Sequence, residues 1–439
     1  MQFLITLPWA TLLILFPMIG AIMSFLWPKQ SNKIGLVTVS FILLSVIFLA
    51  WSIIEHGAYY HAVGGWDAPL VIDLYADGLS LLMLFMTALA GLGISVYATG
   101  YFLTEQSTRF WPLWLFTIAA LNALFLSADI FNCYVTLELI SLAAVSLTAL
   151  GKSPEAYCGA MRYLLATLLG SLLYLFGVVL LYHGFGSVDI AILSQRAESI
   201  PILWAALALM SAGLLLKTAL FPLHFWLPPA HSSAPAPVSA ILSALIVKAS
   251  FYIFLRVWLA IFGPLSDGTV ENMFGVLGAV AVLWGSIQAL IQTRLKLLIA
   301  YSTVAQVGYL FLAFSLAMGG GVAAWNAVIY LAFSHALAKS AMFLVAGNIL
   351  HFSGHDRVMH LDRVAQRLPV TTVAFALAGV NIIGLPPSGG FMGKWFLLEA
   401  ALVQEQWGFA TIIFIGGLLA AAYVFKVVSH AFTQSPVPQ

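Results

Sequence analysis

The feature that most constrains this 439-residue chain is a recurrence of apolar runs, each about 20 residues long, with no polar domain between them. A helix rises 1.5 Å per residue, so about 20 apolar residues cross the roughly 30 Å hydrocarbon core of a bilayer. Thirteen runs stand at about 3–27, 34–54, 78–101, 111–127, 130–150, 160–182, 201–221, 237–262, 272–291, 296–316, 322–351, 370–404 and 408–430. They are continuous and rich in Leu and Ala, unlike the alternating segments of about 10 residues that build a β-barrel, so the expected fold is an all-α polytopic membrane bundle. Composition agrees: 8% of residues are charged, against about 25% in soluble domains. MQFLITLPWA lacks a basic n-region, so the first run is expected to stay as a helix and not to be removed as a signal peptide. Cys133 and Cys158 make neither a disulfide framework nor a four-thiolate site. No glycine loop for a nucleotide and no haem or iron–sulfur ligand run is present, so no cofactor, metal or nucleic-acid partner is expected.

The connections alternate in charge. One set carries Lys29, Lys33, Arg109, Lys152, Arg162, Arg294, Lys296, Arg357, Arg363 and Arg367. The other carries Glu55, Asp67, Asp73, Asp77, Asp129, Asp189, Glu198, Asp267, Glu271 and Glu405, with Arg196 as its one base. The positive-inside rule then places the N-terminus outside and, for an odd number of helices, the C-terminus in the cytoplasm of a prokaryotic inner membrane.

Five lysines fall within the apolar runs: Lys217, Lys248, Lys339, Lys394 and Lys426. A charge at the bilayer centre costs at least about 2.5–3.5 kcal/mol on insertion scales, so each needs a reason. Lys248, in ALIVKASFYIF, is near mid-helix, where snorkelling fails. Lys217 and Lys394 flank proline breaks, where capping of freed carbonyls is the alternative to function. His335 and Lys339, in FSHALAKSAMF, are four apart and share one helix face. Lys426 lies near the inner end, where snorkelling accounts for it, as it does for Arg256. Glu138, in NCYVTLELISL, is the one carboxylate plainly in mid-membrane, while Asp129 has a ready role as an N-cap. Burial favours the neutral form of both lysine and glutamate, and an ion pair opposes this, so moving the partners apart toggles protonation. Lysine is a poor ligand for Na⁺, because it offers no acceptor when protonated. Protons are the economical cargo.

Two stretches interrupt the helices: FPLHFWLPPAHSSAPAPVSA after the seventh run and GLPPSGGFMG within the twelfth. Proline removes a backbone donor, tolerated in a membrane where the freed carbonyls face protein or water. Paired interruptions point to inverted repeats with the functional site at the breaks. The expected organisation is residues 1–109 with three helices, then two five-helix inverted repeats at 110–262 and 263–439, with broken helices 7 and 12. Lys217 then matches Lys394, and Lys248 matches Lys426, which raises Lys426 as a further candidate. His224 and His231 fall in the first break, where the residues alone read as loop histidines in water.

LLLKTALFPLHFWLPPAHSSAPAPVSAILSALIVKASFYIFLRV, QTRLKLLIAYSTVAQVGYLFLAF, AFSHALAKSAMFLVAG and GLPPSGGFMGKW resemble the antiporter-like proton-translocating subunits of respiratory complex I, Mrp-type cation/proton antiporters and membrane-bound hydrogenases. The likeness covers about residues 110–405. It implies that Glu138 pairs with Lys217, that Lys248 passes protons on, that His335 and Lys339 form a relay, and that Lys394 is the exit or lateral hand-over site. For His224 and His231, a place near the proton route is only what the resemblance implies. It also implies membership of a multisubunit ion-pumping complex with further antiporter-like subunits, moving protons and in some members Na⁺, with no catalysis of the chain's own. Members usually have fourteen helices against the thirteen counted here, so either a neighbouring subunit covers that flank or the count is fourteen. The rival expectations are a stand-alone secondary transporter coupling an ion to another solute, and a membrane scaffold that would tolerate neutral residues at all five lysines.

Overall fold

The structure, a computed structural model, describes residues 7–63, 72–318, 321–362 and 364–433. Asp67, Arg363 and the first residues of the run at 3–27 lie outside the described residues. In chain order the helices are α1 (Trp9–Leu26), α2 (Ser31–His56), α3 (Gly78–Tyr101), α4 (Thr104–Phe125), α5 (Ile130–Ala149), α6 (Pro154–Phe185), α7 (Ile190–Arg196), α8 (Pro201–Thr218), α9 (Leu227–Ser233), α10 (Ala236–Ile241), α11 (Val247–Val257), α12 (Thr269–Ile291), α13 (Leu295–Leu316), α14 (Val322–Ser353), α15 (Val364–Arg367), α16 (Pro369–Ile383), α17 (Gly389–Val403) and α18 (Trp407–Phe432). Eleven helical stretches among the described residues are long and apolar enough to cross a membrane. The chain is an all-α polytopic membrane protein. A short antiparallel ribbon, β1 (Tyr59–Val63) with β2 (Ile72–Ala76), joins α2 to α3, with Tyr59 opposite Ala76 and Val63 opposite Ile72.

Each of the thirteen apolar runs overlaps a helix, and the differences sit at the ends. The run at 111–127 belongs to a helix that starts at Thr104. Its polar first turn escaped a reading based on hydrophobicity, and Arg109 is a helical residue, not a loop one. Glu105 ties that turn down, accepting from Lys152 at 2.9 Å and lying 3.4 Å from Arg109. Lys152, and secondarily Arg109, hold its carboxyl below the usual range. Arg162 likewise lies within α6 and Lys33 within α2.

Two compact units make up the chain: residues 1–218 with 245–266, and residues 219–244 with 267–439. In the first, α6 packs against α8 and α5, and α1 packs against α2 and α4. The α6–α8 crossing is close because Gly170 meets Gly213; a Cβ on Gly213 would collide with the Gly170 carbonyl. Small residues at such crossings let membrane helices approach backbone to backbone. In the second unit α13 lies nearly wholly buried, packed on α12 and α14, and α14 also packs against α16 and α17.

Candidate functional site

Glu138 lies on α5, Ser171 on α6 and Lys217 in the last turn of α8. The α6–α8 glycine contact brings these helices together, and Gly170 leaves the space that the Lys217 stem occupies: a Cβ there would sit 3.0 Å from its Cγ. The Lys217 ammonium is 3.7 Å from Glu138 Oε2 and donates to Ser141 Oγ at 2.7 Å. Ser171 donates to the same Glu138 oxygen. The Lys217 side chain is 3% exposed and that of Glu138 20%, so the carboxylate keeps one edge at the protein surface. The pair expected from the sequence is formed, and two serines the sequence reading missed complete it. Lys217 therefore has a side-chain partner, and its hydrogen bond is not to a carbonyl of the break.

Lys248 is fully buried near the start of α11, directly after a π-helical turn at Leu242–Ile246. Such turns insert an extra residue into the helical ladder and are frequent at functional sites. Two residues on, Ser250 receives the Thr218 hydroxyl at 2.9 Å, which places a polar contact at the end of α8. Arg256, on the same helix, corrects the sequence reading. It does not snorkel but forks onto Asp77 at 2.5 and 2.8 Å, with Ser80 and Tyr252 as further partners. Burial alone would raise the Asp77 carboxyl, yet Arg256 and the Ser80 amide hold it below its ordinary value.

In the second unit His335 and Lys339 are buried on α14. The Lys339 ammonium donates to the Ile299 carbonyl at 2.9 Å and to Ser302 Oγ, both on α13. Lys394, in α17 after the second break, donates to the carbonyls of Ile382 and Ile383, each at 2.9 Å, and sits 4.7 Å above the Tyr309 ring. Both carbonyls belong to the end of α16, so the lysine satisfies groups that the break frees. Lys426 is similar: it reaches the carbonyls of Leu290 and Gln292, at 2.8 and 2.9 Å, and closes the C-terminus of α12. That is a structural task, and no snorkelling is needed.

The histidines of the first break separate. His231 is fully buried in α9 with its ring stacked 4.7 Å from Phe343, which corrects the reading of a loop histidine in water. His224 is partly buried against Phe221, and burial pushes its ring below the usual histidine range. Lys296, assigned to a loop by sequence, is buried in the first turn of α13 and donates to the Ala234 carbonyl at 2.6 Å, at the end of α9. Its position beside loop charges hid it.

A family model described as "NADH:quinone oxidoreductase/Mrp antiporter, TM" matches residues 127–420, more than half of the chain. The chain belongs to this family. The matched span includes Glu138, Lys217, Lys248, His335, Lys339 and Lys394. NADH-quinone oxidoreductase subunit N of Desulforudis audaxviator is 36% identical over 403 residues, covering 90% of this chain and 79% of that one. Among solved structures, a chain of the Mrp complex from Dietzia sp. aligns with TM-score 0.90 at 25% identity, over 98% of this chain and 82% of that chain. A chain of the membrane-bound sulfane sulfur reductase, an archaeal respiratory membrane complex, aligns with TM-score 0.91 at 25% identity, over 98% and 90%.

Proposed function

We propose that this family member is a proton-translocating membrane subunit of a larger ion-pumping complex, working beside other membrane subunits, further antiporter-like ones among them. The observation that carries the reading is the largely buried pair of Glu138 and Lys217, held by Ser171 and Ser141. A buried ammonium beside a carboxylate stays charged while the two are close and favours its neutral form when they part. Glu138 keeps one edge at the protein surface, where a neighbouring subunit can shift it. Protons move along Lys217 and Lys248 in the first unit, and along His335, Lys339 and Lys394 in the second. The relatives named above support the setting, since both solved ones come from complexes, one of them a respiratory membrane complex. Alternating loop charge supports an outside N-terminus and a cytoplasmic C-terminus in a prokaryotic inner membrane. The interruptions after α8 and between α16 and α17, each beside a buried lysine, support two inverted repeats, 110–262 and 263–439, after an N-terminal segment of 1–109.

The test is proton translocation by the intact complex in membrane vesicles, with assembly checked by subunit content. Glu138→Ala and Lys248→Ala are each expected to abolish translocation while the complex still forms. Wild-type translocation by both would overturn the reading.

A further inference from the structure

Within the second unit, Lys394 stands on one helix and its two acceptors on another, so its hydrogen bonds depend on how α16 and α17 meet across the second break. The carbonyls of Ile382 and Ile383 belong to the end of α16, and Lys394 lies in the second turn of α17. Four residues before Lys394, and so on the same face of α17, the Gly390 amide donates to Asn381 Oδ1 at 2.8 Å. Asn381 directly precedes Ile382 in α16. The two backbones touch at this point: a Cβ on Gly390 would collide with the Asn381 carbonyl. Gly384, between the helices, leaves room for the lysine stem, since a Cβ there would sit 2.8 Å from Lys394 Cδ. Helix α17 also has a cap of its own, Ser388, whose Oγ accepts from the Phe391 amide at 3.1 Å. The Asn381 bond is thus a second one, brought in from another helix. A local cap closes a helix end wherever that helix lies, whereas a bond between helices also fixes the spacing between them.

We propose that Asn381 is a positioning residue for Lys394: its side-chain oxygen clasps Gly390 and holds α17 where the lysine ammonium meets the Ile382 and Ile383 carbonyls. The inference rests on the proton-translocating reading above, in which Lys394 takes up and releases a proton. Asn381 itself exchanges none. Opening the clasp leaves Lys394 on its helix but frees that helix to carry it away from its acceptors. A carbonyl that accepts from an ammonium favours the charged form, so the clasp acts on translocation through the proton held at Lys394.

The experiment measures proton translocation by the intact complex in vesicles over a range of pH, at matched subunit content, for Asn381→Leu, Asn381→Asp, Lys394→Met and the unaltered complex. Leucine is close to asparagine in size and offers no acceptor. It is expected to slow translocation about tenfold, less than the roughly hundredfold that a 1 Å misplacement can cost. It is also expected to move the alkaline limb of the pH–rate profile about one unit lower, as loss of acceptors from an ammonium requires. Aspartate keeps the acceptor oxygen and is expected to restore the rate, with the limb no lower than in the unaltered complex. Slowing by Asn381→Leu with the limb in place is what a role in stability alone gives, and it overturns the proposal, as does equal slowing by both variants at 381. Wild-type translocation by Asn381→Leu beside loss in Lys394→Met overturns the positioning role and leaves the functional reading standing. Wild-type translocation by Lys394→Met takes that lysine out of the proton path and overturns the proposal together with that part of the reading. If Asn381→Leu fails to assemble, Asn381→Ala, which fits any space the asparagine fills, is read in its place by the same outcomes.

Discussion

Two breaks interrupt this chain, and the lysines beside them are held in different ways. Lys217, just before the first, faces a carboxylate and a serine hydroxyl on another helix. Lys394, just after the second, faces two backbone carbonyls at the end of α16. A carboxylate can be drawn away by a helix shift or neutralised by a proton, whereas a carbonyl cannot change its charge. The first arrangement therefore suits a switch and the second a fixed acceptor that holds a proton arriving from elsewhere. Both lysines are buried, so burial alone does not separate a switch from a cap. The identity of the partner does.

The largest expected effect breaks the contrast at its switching end. Glu138→Gln can still accept from Ser171 but removes the charge, and translocation should fall by about a hundredfold or more, within the range for a positioned proton-transfer group. Vesicle acidification at matched subunit content checks this. Next in size, Lys394→Met deletes a donor to two buried carbonyls: Ile382 keeps the Gln306 amide, and Ile383 is left unmet at a cost of about 1–3 kcal/mol. Thermal denaturation of the purified complex should show a clear drop in midpoint. Lys217→Met should cost less, since its removal strands no backbone carbonyl and leaves Glu138 with the Ser171 hydroxyl. Equal losses would erase the distinction drawn between the two lysines.

The smallest effect approaches the contrast from the carboxylate side. Asp77 and Asp129 both cap helices, accepting from Ser80 and Asn132 amides. Asp77 also meets Arg256, whereas burial, aided by Asp189 and Asp73, pushes the Asp129 carboxyl from 3.8 up to about 6. A folded-state value above the unfolded one means the folded protein binds the proton more tightly. That stabilisation is full below about pH 4 and is lost as pH rises through about 6. Two units correspond to at most about 3 kcal/mol. Asp129→Asn keeps a side chain suited to N-capping and should flatten the denaturation midpoint between pH 4 and 6, raising it at pH 7.

Much of the fold was legible because membrane-spanning segments must be apolar and continuous, and the eleven long apolar helices fall on runs visible in the sequence. The main groups of the candidate site stood out for the complementary reason: Glu138, Lys217, Lys248, Lys339 and Lys394 are costly where they stand. Ser141, Ser171 and Ser302 did not, since serine is cheap enough in a helix bundle to pass unnoticed. Only packing shows that they meet those charges. Lys296 and Arg256 were misread because a sequence gives distance from a helix end, and not whether a partner waits there. The β1–β2 ribbon was missed because two five-residue strands are too short to stand out between long helices.

The central claim, that Lys217 must release its proton and not merely hold a charge, is tested most directly by Lys217→Arg. A guanidinium stays protonated in proteins while preserving an ion pair with a carboxylate. The intact complex carrying Lys217→Arg should assemble with unchanged subunit content and translocate no protons in vesicles. Translocation at the wild-type rate would contradict the account, because a permanently charged group would then serve where a switching one is required.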